Sequence, residues 1–287
     1  MTRSVVFGAS GAIGRFLLPR LLARGDEVFA VSRVPRAGAH PNLHWWSGDL
    51  CADVAGLPVA DAIFSLGPLD AFAAWLERTR LAGQPRIVAI GSRSVVSKRD
   101  SIDAAERALA ARLAQAEARL AAAATARDCA WTILRPTLIW GAGLDRNLTS
   151  IARFASRWHV LPRLVGASGL RQPVHADDLA GLCIAAQERS AAANRGYDVG
   201  GGERLGFAEM LDRIRLGLGV WAVPLPLPVA ALRGAASLVP AWRGFRAPLA
   251  RLDVDLVADH DAAVVDLGWA PRGFRPEATS WQPHPLP

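Results

Sequence analysis

Three glycines spaced three apart, Gly8, Gly11 and Gly14, interrupt the N-terminal stretch VVFGASGAIGRFLLPRLL where a short apolar run gives way to an amphipathic one. This loop constrains the fold more than any other feature of the chain. In a strand-to-helix turn of this kind the first glycine permits the tight bend, the second lets the backbone approach a pyrophosphate, and the third packs the helix against its strand. The unpaired N–H groups at the helix start are then free to bind the anion. The pattern predicts a strand over Ser4 to Phe7 and a helix over Ala12 to Ala23 with Leu17, Leu18, Leu21 and Leu22 on one face. It assigns the pyrophosphate of a dinucleotide to Gly8, Ser10, Gly11, Ala12, Ile13 and Gly14.

The alternation continues. Glu27 to Val31, Leu43 to Trp46, Ala62 to Leu66, Arg86 to Ile90 and Trp131 to Leu134 read as further strands. Between them, Leu69 to Arg80 and the Ala-rich Ile102 to Ala126 read as helices, alanine being the strongest helix former. Strands alternating with helices predict an α/β protein, a Rossmann-type doubly wound parallel sheet. Residues 1–140 are expected to form the dinucleotide-binding core. After Trp140 the chain turns to Pro-, Gly- and Trp-rich connections with helices at Asp177 to Gln187, Phe207 to Leu216 and Ala247 to Leu256. Residues 141–287 are therefore expected to supply late core elements and a smaller C-terminal substrate lobe. The Pro-rich tail RPEATSWQPHPLP is expected to fray.

Composition excludes several classes. The net charge of +7 comes from scattered arginines with acids between them, Lys98 being the single lysine. Without clustered basic residues and interleaved aromatics, no nucleic-acid partner is expected. Cys51, Cys129 and Cys183 form no CxxC pair, so neither a disulfide framework nor a metal site is expected, and a reducing cytoplasm fits. The first strand follows the N-terminus too closely for a signal peptide. The most membrane-like segment, Val220 to Trp242, is broken by four prolines and Arg233. Packed lobe helices are expected there, with a membrane-facing apolar surface as the open alternative.

The second strand ends in Ser32 and Arg33, where an NAD-binding chain carries an acid for the ribose hydroxyls. Arg33 cannot accept those hydrogen bonds but can donate to a 2′-phosphate, with Arg36 as a second donor. NADP(H) is accordingly favoured over NAD(H).

At this point the chain resembles the extended short-chain dehydrogenase/reductase family, the NAD(P)-dependent epimerase/dehydratase type. The resemblance runs through GASGAIG, GDL (Gly48 to Leu50), LRPTLIWG (Leu134 to Gly141), RQPVHADDLA (Arg171 to Ala180) and YDVGGGE (Tyr197 to Glu203), in the family's order. It implies that Asp49 and Leu50 bracket the adenine and that Ser65, Leu66 and Gly67 pass along the ribose and pyrophosphate. Pro136, Thr137 and Leu138 would line the nicotinamide. The RQPVHADDLA segment resembles the family's approach to the substrate mouth. It makes Arg171, and less directly His175, candidates to face a small-molecule substrate, while Asp177 is expected to cap the following helix.

Family members transfer hydride with a Ser/Thr after the fifth strand and a Tyr-xxx-Lys pair on the next helix. The serine is matched by Ser92, with Ser94 two residues on. Aligned on Glu117, the Tyr and Lys positions fall on Leu109 and Leu113. The chain has one tyrosine, Tyr197, and one lysine, Lys98, so it contains no Tyr-xxx-Lys. Two readings follow. One is an atypical oxidoreductase or epimerase-like enzyme whose proton comes through Ser92 or from the substrate. The other is a catalytically inactive NADP(H)-binding sensor or assembly protein. Lys98 is expected as an exposed loop residue, and the Tyr197 hydroxyl as structural.

Overall fold

The computed structural model describes residues 2–34, 36, 38, 40–52, 54, 56–238 and 249–287. In the first half, β1 (Arg3–Phe7), α1 (Gly14–Ala23), β2 (Glu27–Ser32), β3 (Leu43–Ser47), β4 (Ala62–Ser65), α2 (Leu69–Arg78) and β5 (Arg86–Ile90) follow one another. The one-turn α3 (Ser94–Ser97), α4 (Ala104–Thr125) and β6 (Trp131–Pro136) complete it. The elements after residue 138 are β7 (Ile139–Trp140), α5 (Leu148–Trp158), β8 (Val160–Val165), β9 (Leu170–Arg171), β10 (Val174–His175) and α6 (Ala176–Glu188). They continue with β11 (Arg195–Val199), β12 (Leu205–Gly206), α7 (Phe207–Leu216), β13 (Val223–Pro228), α8 (Val229–Leu238) and α9 (Asp261–Leu267).

Seven strands form one parallel sheet in the order β11-β6-β5-β4-β1-β2-β3. Both faces are covered, which is why these strands read as nearly continuous apolar runs. Val5 and Phe7 of β1 face the layer of α2 and α4, against Phe72, Trp75 and Leu120. Val6 faces the other layer, against Leu17 and Leu18 of α1 and Leu179 of α6. The chain leaves β1 toward β2 on one side and returns at β4 on the other. A crevice therefore opens beyond the carboxyl ends of β1 and β4, the usual place for a ligand in a doubly wound sheet.

α4 runs within two residues of its expected bounds and starts at Asp103, whose carboxylate accepts the N–H groups of Ala105 and Glu106. Its nearly buried Glu117 takes the Arg135 guanidinium in contacts of 2.7–3.0 Å, and Arg135 reaches Asp198 at 3.6 Å. One arginine thus ties α4, β6 and β11 together. The hydrogen bond to Glu117 outweighs burial and raises the Arg135 pKa.

The lobe has its own apolar core, with Trp140, Leu148, Leu161, Ile214 and Phe274 among its members. β8 pairs in parallel with β13, in which Pro224, Pro226 and Pro228 alternate with Val223, Leu225 and Leu227. Proline lacks an N–H, so such a strand serves at an edge. The segment Val220 to Trp242 holds β13 and α8, while residues 239–242 lie outside the described ones. Among the described residues no helix is long and apolar enough to cross a membrane.

Two expectations about the lobe are corrected. The helix read over Ala247 to Leu256 has residues 247 and 248 outside the described ones and ends early: 249 and 250 are helical, and Arg251–Asp253 form a 3-10 turn. From Val254 the backbone is extended, because Leu256 donates its N–H to the Leu170 carbonyl and bridges Arg171. The tail does not fray. Trp281 is buried and its indole N–H donates to the Gly217 carbonyl at 3.0 Å, while the His284 ring lies tilted against Phe16 with centroids 4.2 Å apart. Prolines fix φ in this segment, so docking it costs little backbone entropy.

Candidate functional site

The glycine loop takes the shape its spacing requires. Gly8 has φ +73°, in the region that suits glycine, and a Cβ there would lie 3.0 Å from the Gly67 nitrogen. A Cβ on Gly14 would lie 2.2 Å from the Ala9 carbonyl oxygen, so the third glycine is the one that lets α1 seat on β1. A Cβ on Gly11 meets only the Gly8 carbonyl oxygen, at 3.1 Å. No side chain caps α1 and its first turn carries no acid, which leaves that helix start suited to an anion.

Beyond this loop lies a cavity of about 320 Å³ walled by Gly8, Ser10, Gly11, Ser32, Arg33, Asp49, Leu50, Leu66 and Gly67. Nine of the residues expected to hold the cofactor therefore meet at one place, brought from the ends of β1, β2, β3 and β4. Asp49 accepts the Cys51 N–H at 3.0 Å, and Ser32 accepts the Val34 N–H at 3.3 Å, which shape the two turns that carry them. Other expected residues stand elsewhere. Ser65 is fully buried in β4 behind Leu66, and Ile13 belongs to the core. Arg36 lies over the Trp45 ring at 5.5 Å. Burial first, and then the charge of Arg36, pull the Arg15 pKa below its ordinary value. Cys51, Pro68 and Ala71 also wall the cavity and carried no sequence signal of their own.

A second cavity, of about 350 Å³, opens between the sheet and the lobe. α3 and the residue after it supply Ser94, Ser97 and Lys98; the link between β6 and β7 supplies Leu138; Asn147, Arg171, Phe207, Arg251, Leu252 and residues 254–256 close it from the lobe. Of the three residues expected at the nicotinamide, Leu138 reaches this cavity. Pro136 accepts the Arg93 N–H, and the Thr137 hydroxyl donates to the Gln172 carbonyl. Ser92 accepts the Ser94 N–H at 3.2 Å and so starts the α3 turn.

Lys98 is not the free surface residue expected. It is half-buried, 3.4 Å from Glu106 of α4, and it walls the second cavity. Burial acts to raise the Glu106 pKa, but the Ser101 hydroxyl and the charges of Arg251 and Lys98 hold the carboxyl below its ordinary value. Leu109 and Leu113 lie on α4 beyond Glu106, both partly exposed.

Arg171 walls the same cavity, yet its guanidinium donates to the carbonyls of Leu170, Val254 and Arg251 at 2.8 Å each and lies 4.9 Å over the Phe207 ring. It clamps the extended 254–256 segment as well as lining the space. Burial lowers its pKa. His175 is in neither cavity as described. It is the N-cap of α6, its Nδ1 accepting the Asp177 N–H at 3.1 Å, which corrects the expectation that Asp177 caps. Asp177 pairs instead with Arg20 and Arg272, at 2.7 and 2.8 Å, because its side chain points outward across α1. The single phenol, Tyr197, donates to Asp266 at 2.8 Å and to the Ala191 carbonyl at 3.3 Å, away from both cavities. Among the described residues no cluster of His, Cys, Asp and Glu could hold a metal, and the three cysteines are free.

Fold and site define a Rossmann-type nucleotide-binding protein with an added lobe that closes a second cavity. Residues 8–142 match the NAD(P)H-binding family. UDP-glucose 4-epimerase of Vibrio cholerae is 27% identical over 174 residues, 58% of this chain and 51% of that protein, so the chain spans about half the length of the curated relative it matches. An epimerase from Methanothermobacter thermautotrophicus has the same fold with TM-score 0.71 at 16% identity, over 97% of this chain and 90% of that one. The UDP-glucuronic acid 4-epimerase of Bacillus cereus, in complex with NAD, gives 0.69 at 13% identity over 98% and 97%. The UDP-glucose 4-epimerase of Thermotoga maritima, with UDP-glucose, gives 0.69 at 14% identity over 97% and 96%. These matches show an NAD(P)H-binding region over residues 8–142 and a fold shared with the sugar-nucleotide epimerase structures.

Proposed function

We propose that this protein is an NADP(H)-dependent oxidoreductase acting on a small molecule held in the second cavity. The observation that carries the cofactor reading is Arg33, a cation rather than an acid, in the wall of the first cavity at the end of β2. The site fits the group: glycines clear a path for the pyrophosphate, an uncapped helix start faces it, and Arg33 stands where a 2′-phosphate would arrive. When bound, NADP(H) supplies or accepts a hydride. The chain's own residues do the rest. Leu138 offers an apolar wall, and Ser92, at the head of α3 and outside the walls of that cavity, carries a hydroxyl that relays a proton through water. Lys98 holds an ammonium at the cavity wall, positioned by Glu106, where it can stabilise a developing alkoxide.

Titration of the wild type should show NADPH bound more tightly than NADH. Arg33→Ala should weaken NADPH roughly ten- to a hundredfold, as expected for charge-assisted bonds of about 1.5–3 kcal/mol, and leave NADH nearly unchanged. A wild type that prefers NADH overturns the assignment.

On any carbonyl, quinone or sugar-nucleotide substrate found by screening, Ser92→Ala and Lys98→Met should each cost about tenfold or more in kcat. Tyr197→Phe should cost less than about threefold, since its hydroxyl serves Asp266. A Tyr197→Phe protein that binds NADPH but has lost turnover would contradict this mechanism. A screen without any turnover would favour the binding-protein reading, for which the missing Tyr-xxx-Lys pair speaks.

A further inference from the structure

The second cavity does not end at the lobe. Phe207, the first residue of α7, walls it and also walls a neighbouring groove of about 330 Å³. Two helices lead from one space to the other. On α5 and its N-cap, Asn147 faces the cavity, while Ser150, Ile151 and Phe154 face the groove. These positions are spaced three and four apart and so share one helical stripe. On α7, Phe207 is followed four residues later by Leu211, which also faces the groove. β8 lays Leu161, Pro162 and Leu164 beneath them. From Asn147 to Phe154 the stripe runs about 10 Å at 1.5 Å rise per residue.

The chemistry changes along this path. At the cavity end stand Lys98, Arg171, Asp255 and two serine hydroxyls. At the groove end the side chains are apolar, with Ser150 the single exception. Phe154 is 47% exposed and Trp158, one helical step further on, is 64% exposed. Large apolar side chains left open to water, aligned and adjoining a polar reaction space across the shared Phe207 wall, call for a ligand that is itself polar at one end and apolar along its length.

From this adjacency we infer that the substrate is an amphiphile: a carbonyl or hydroxyl head bound in the second cavity, carrying an alkyl chain that passes Phe207 into the groove between α5, α7 and β8. The inference rests on the proposed reading of the second cavity as the substrate site and adds the substrate class. Ile151 and Phe154 are the specificity-determining residues for the chain, and neither touches the reacting atoms.

The test is a homologous series of 2-alkanones from four to ten carbons, with binding measured by calorimetry to the protein with and without NADP+. Each added methylene should tighten binding about threefold to fourfold once the tail enters the groove, as expected for a buried methylene. Phe154→Asp and Ile151→Asp should flatten that dependence while leaving NADPH affinity and the weak binding of 2-butanone unchanged. The half-exposed Phe154 can be replaced without opening the core, and Phe154→Ala gives a milder check, a reduced slope. A flat series in the wild type, or a slope that survives in both Asp variants, overturns the inference. So does a change of mass in solution on Phe154→Asp with no effect on the slope, which would make the groove a contact between two copies of the chain. Failure to bind NADPH, or absence of turnover, would count against the proposed function alone. The chain-length dependence is read from binding and does not need either.

Discussion

Replacing Gly11 by valine is expected to leave a folded protein that no longer binds NADP(H). The position has ordinary backbone angles, and a Cβ meets a single atom there, the Gly8 carbonyl oxygen at 3.1 Å, so a few tenths of an ångström accommodate it. The two methyls beyond that Cβ would stand in the wall of the first cavity, where the pyrophosphate must come close to the backbone. Losing the approach removes several charge-assisted hydrogen bonds at once, and affinity should fall more than about a hundredfold. Gly14→Ala is the contrast. Its Cβ would sit 2.2 Å from the Ala9 carbonyl oxygen, and the damage there should appear as lost stability before any effect on binding. Circular dichroism, thermal unfolding and NADPH fluorescence titration separate the two. Near wild-type NADPH affinity in a folded Gly11→Val protein would move the nucleotide away from this loop.

The protein should also lose stability steeply under mild acid, and His175 is the reason. Its ring is wedged edge-on against Trp140, with centroids 4.5 Å apart, and against Gly141, where a Cβ would lie 2.1 Å from Nε2. Burial, and then the charge of Arg272, bring its pKa down from 6.5 to about 4, against smaller opposing effects of Asp178 and Asp177; His284 adds to the lowering. The start of α6 also disfavours a positive charge, and protonated Nδ1 could no longer accept the Asp177 N–H. In the unfolded chain the imidazole takes a proton near pH 6.5, whereas in the folded chain it resists until about pH 4. Folding stability supplied by the neutral ring is therefore complete above pH 6.5, falls through that window, and is gone below pH 4. The full loss is roughly 3 kcal/mol. Urea unfolding at pH 7.5 and pH 4.5 should show most of that difference. His175→Asn, which keeps a capping oxygen but cannot titrate, should show much less. Equal pH dependence in the two proteins would remove His175 from this role.

The parts legible in the sequence are those governed by short-range rules. The central strands β1, β4 and β5 announce themselves as apolar runs because both of their faces are buried, whereas β3 lies at the sheet edge and is largely open. The helix α4 follows from its alanines, its Asp103 cap being visible only in the structure, and the glycines at 8, 11 and 14 predict their own geometry. Arg33 could be placed because the distance along the chain from a Rossmann glycine loop to the end of the second strand varies little. His175 is a candidate through the resemblance of RQPVHADDLA to a segment near a substrate mouth, and its packing shows a cap in place of Asp177. The tail looked frayed because prolines spoil every periodicity, yet Trp281 and His284 dock it on the lobe and on α1.

What the sequence by itself determined is the sheet, the glycine loop after β1 and the cation at the end of β2, all set by residues within a few positions of one another or by a repeated unit of fixed length. It also determined that no Tyr-xxx-Lys pair is present. The second cavity was decided by tertiary structure alone. Its walls come from Ser94, Ser97, Lys98, Leu138, Asn147, Arg171, Phe207, Arg251, Leu252 and residues 254–256. These segments are joined by long-range contacts, such as Arg171 with Val254 and Arg251 with Glu106, that no local pattern encodes. Whether a lone lysine is surface or site depends on which carboxylate the folded chain brings beside it, and that distance exists only once α4 has packed on the sheet.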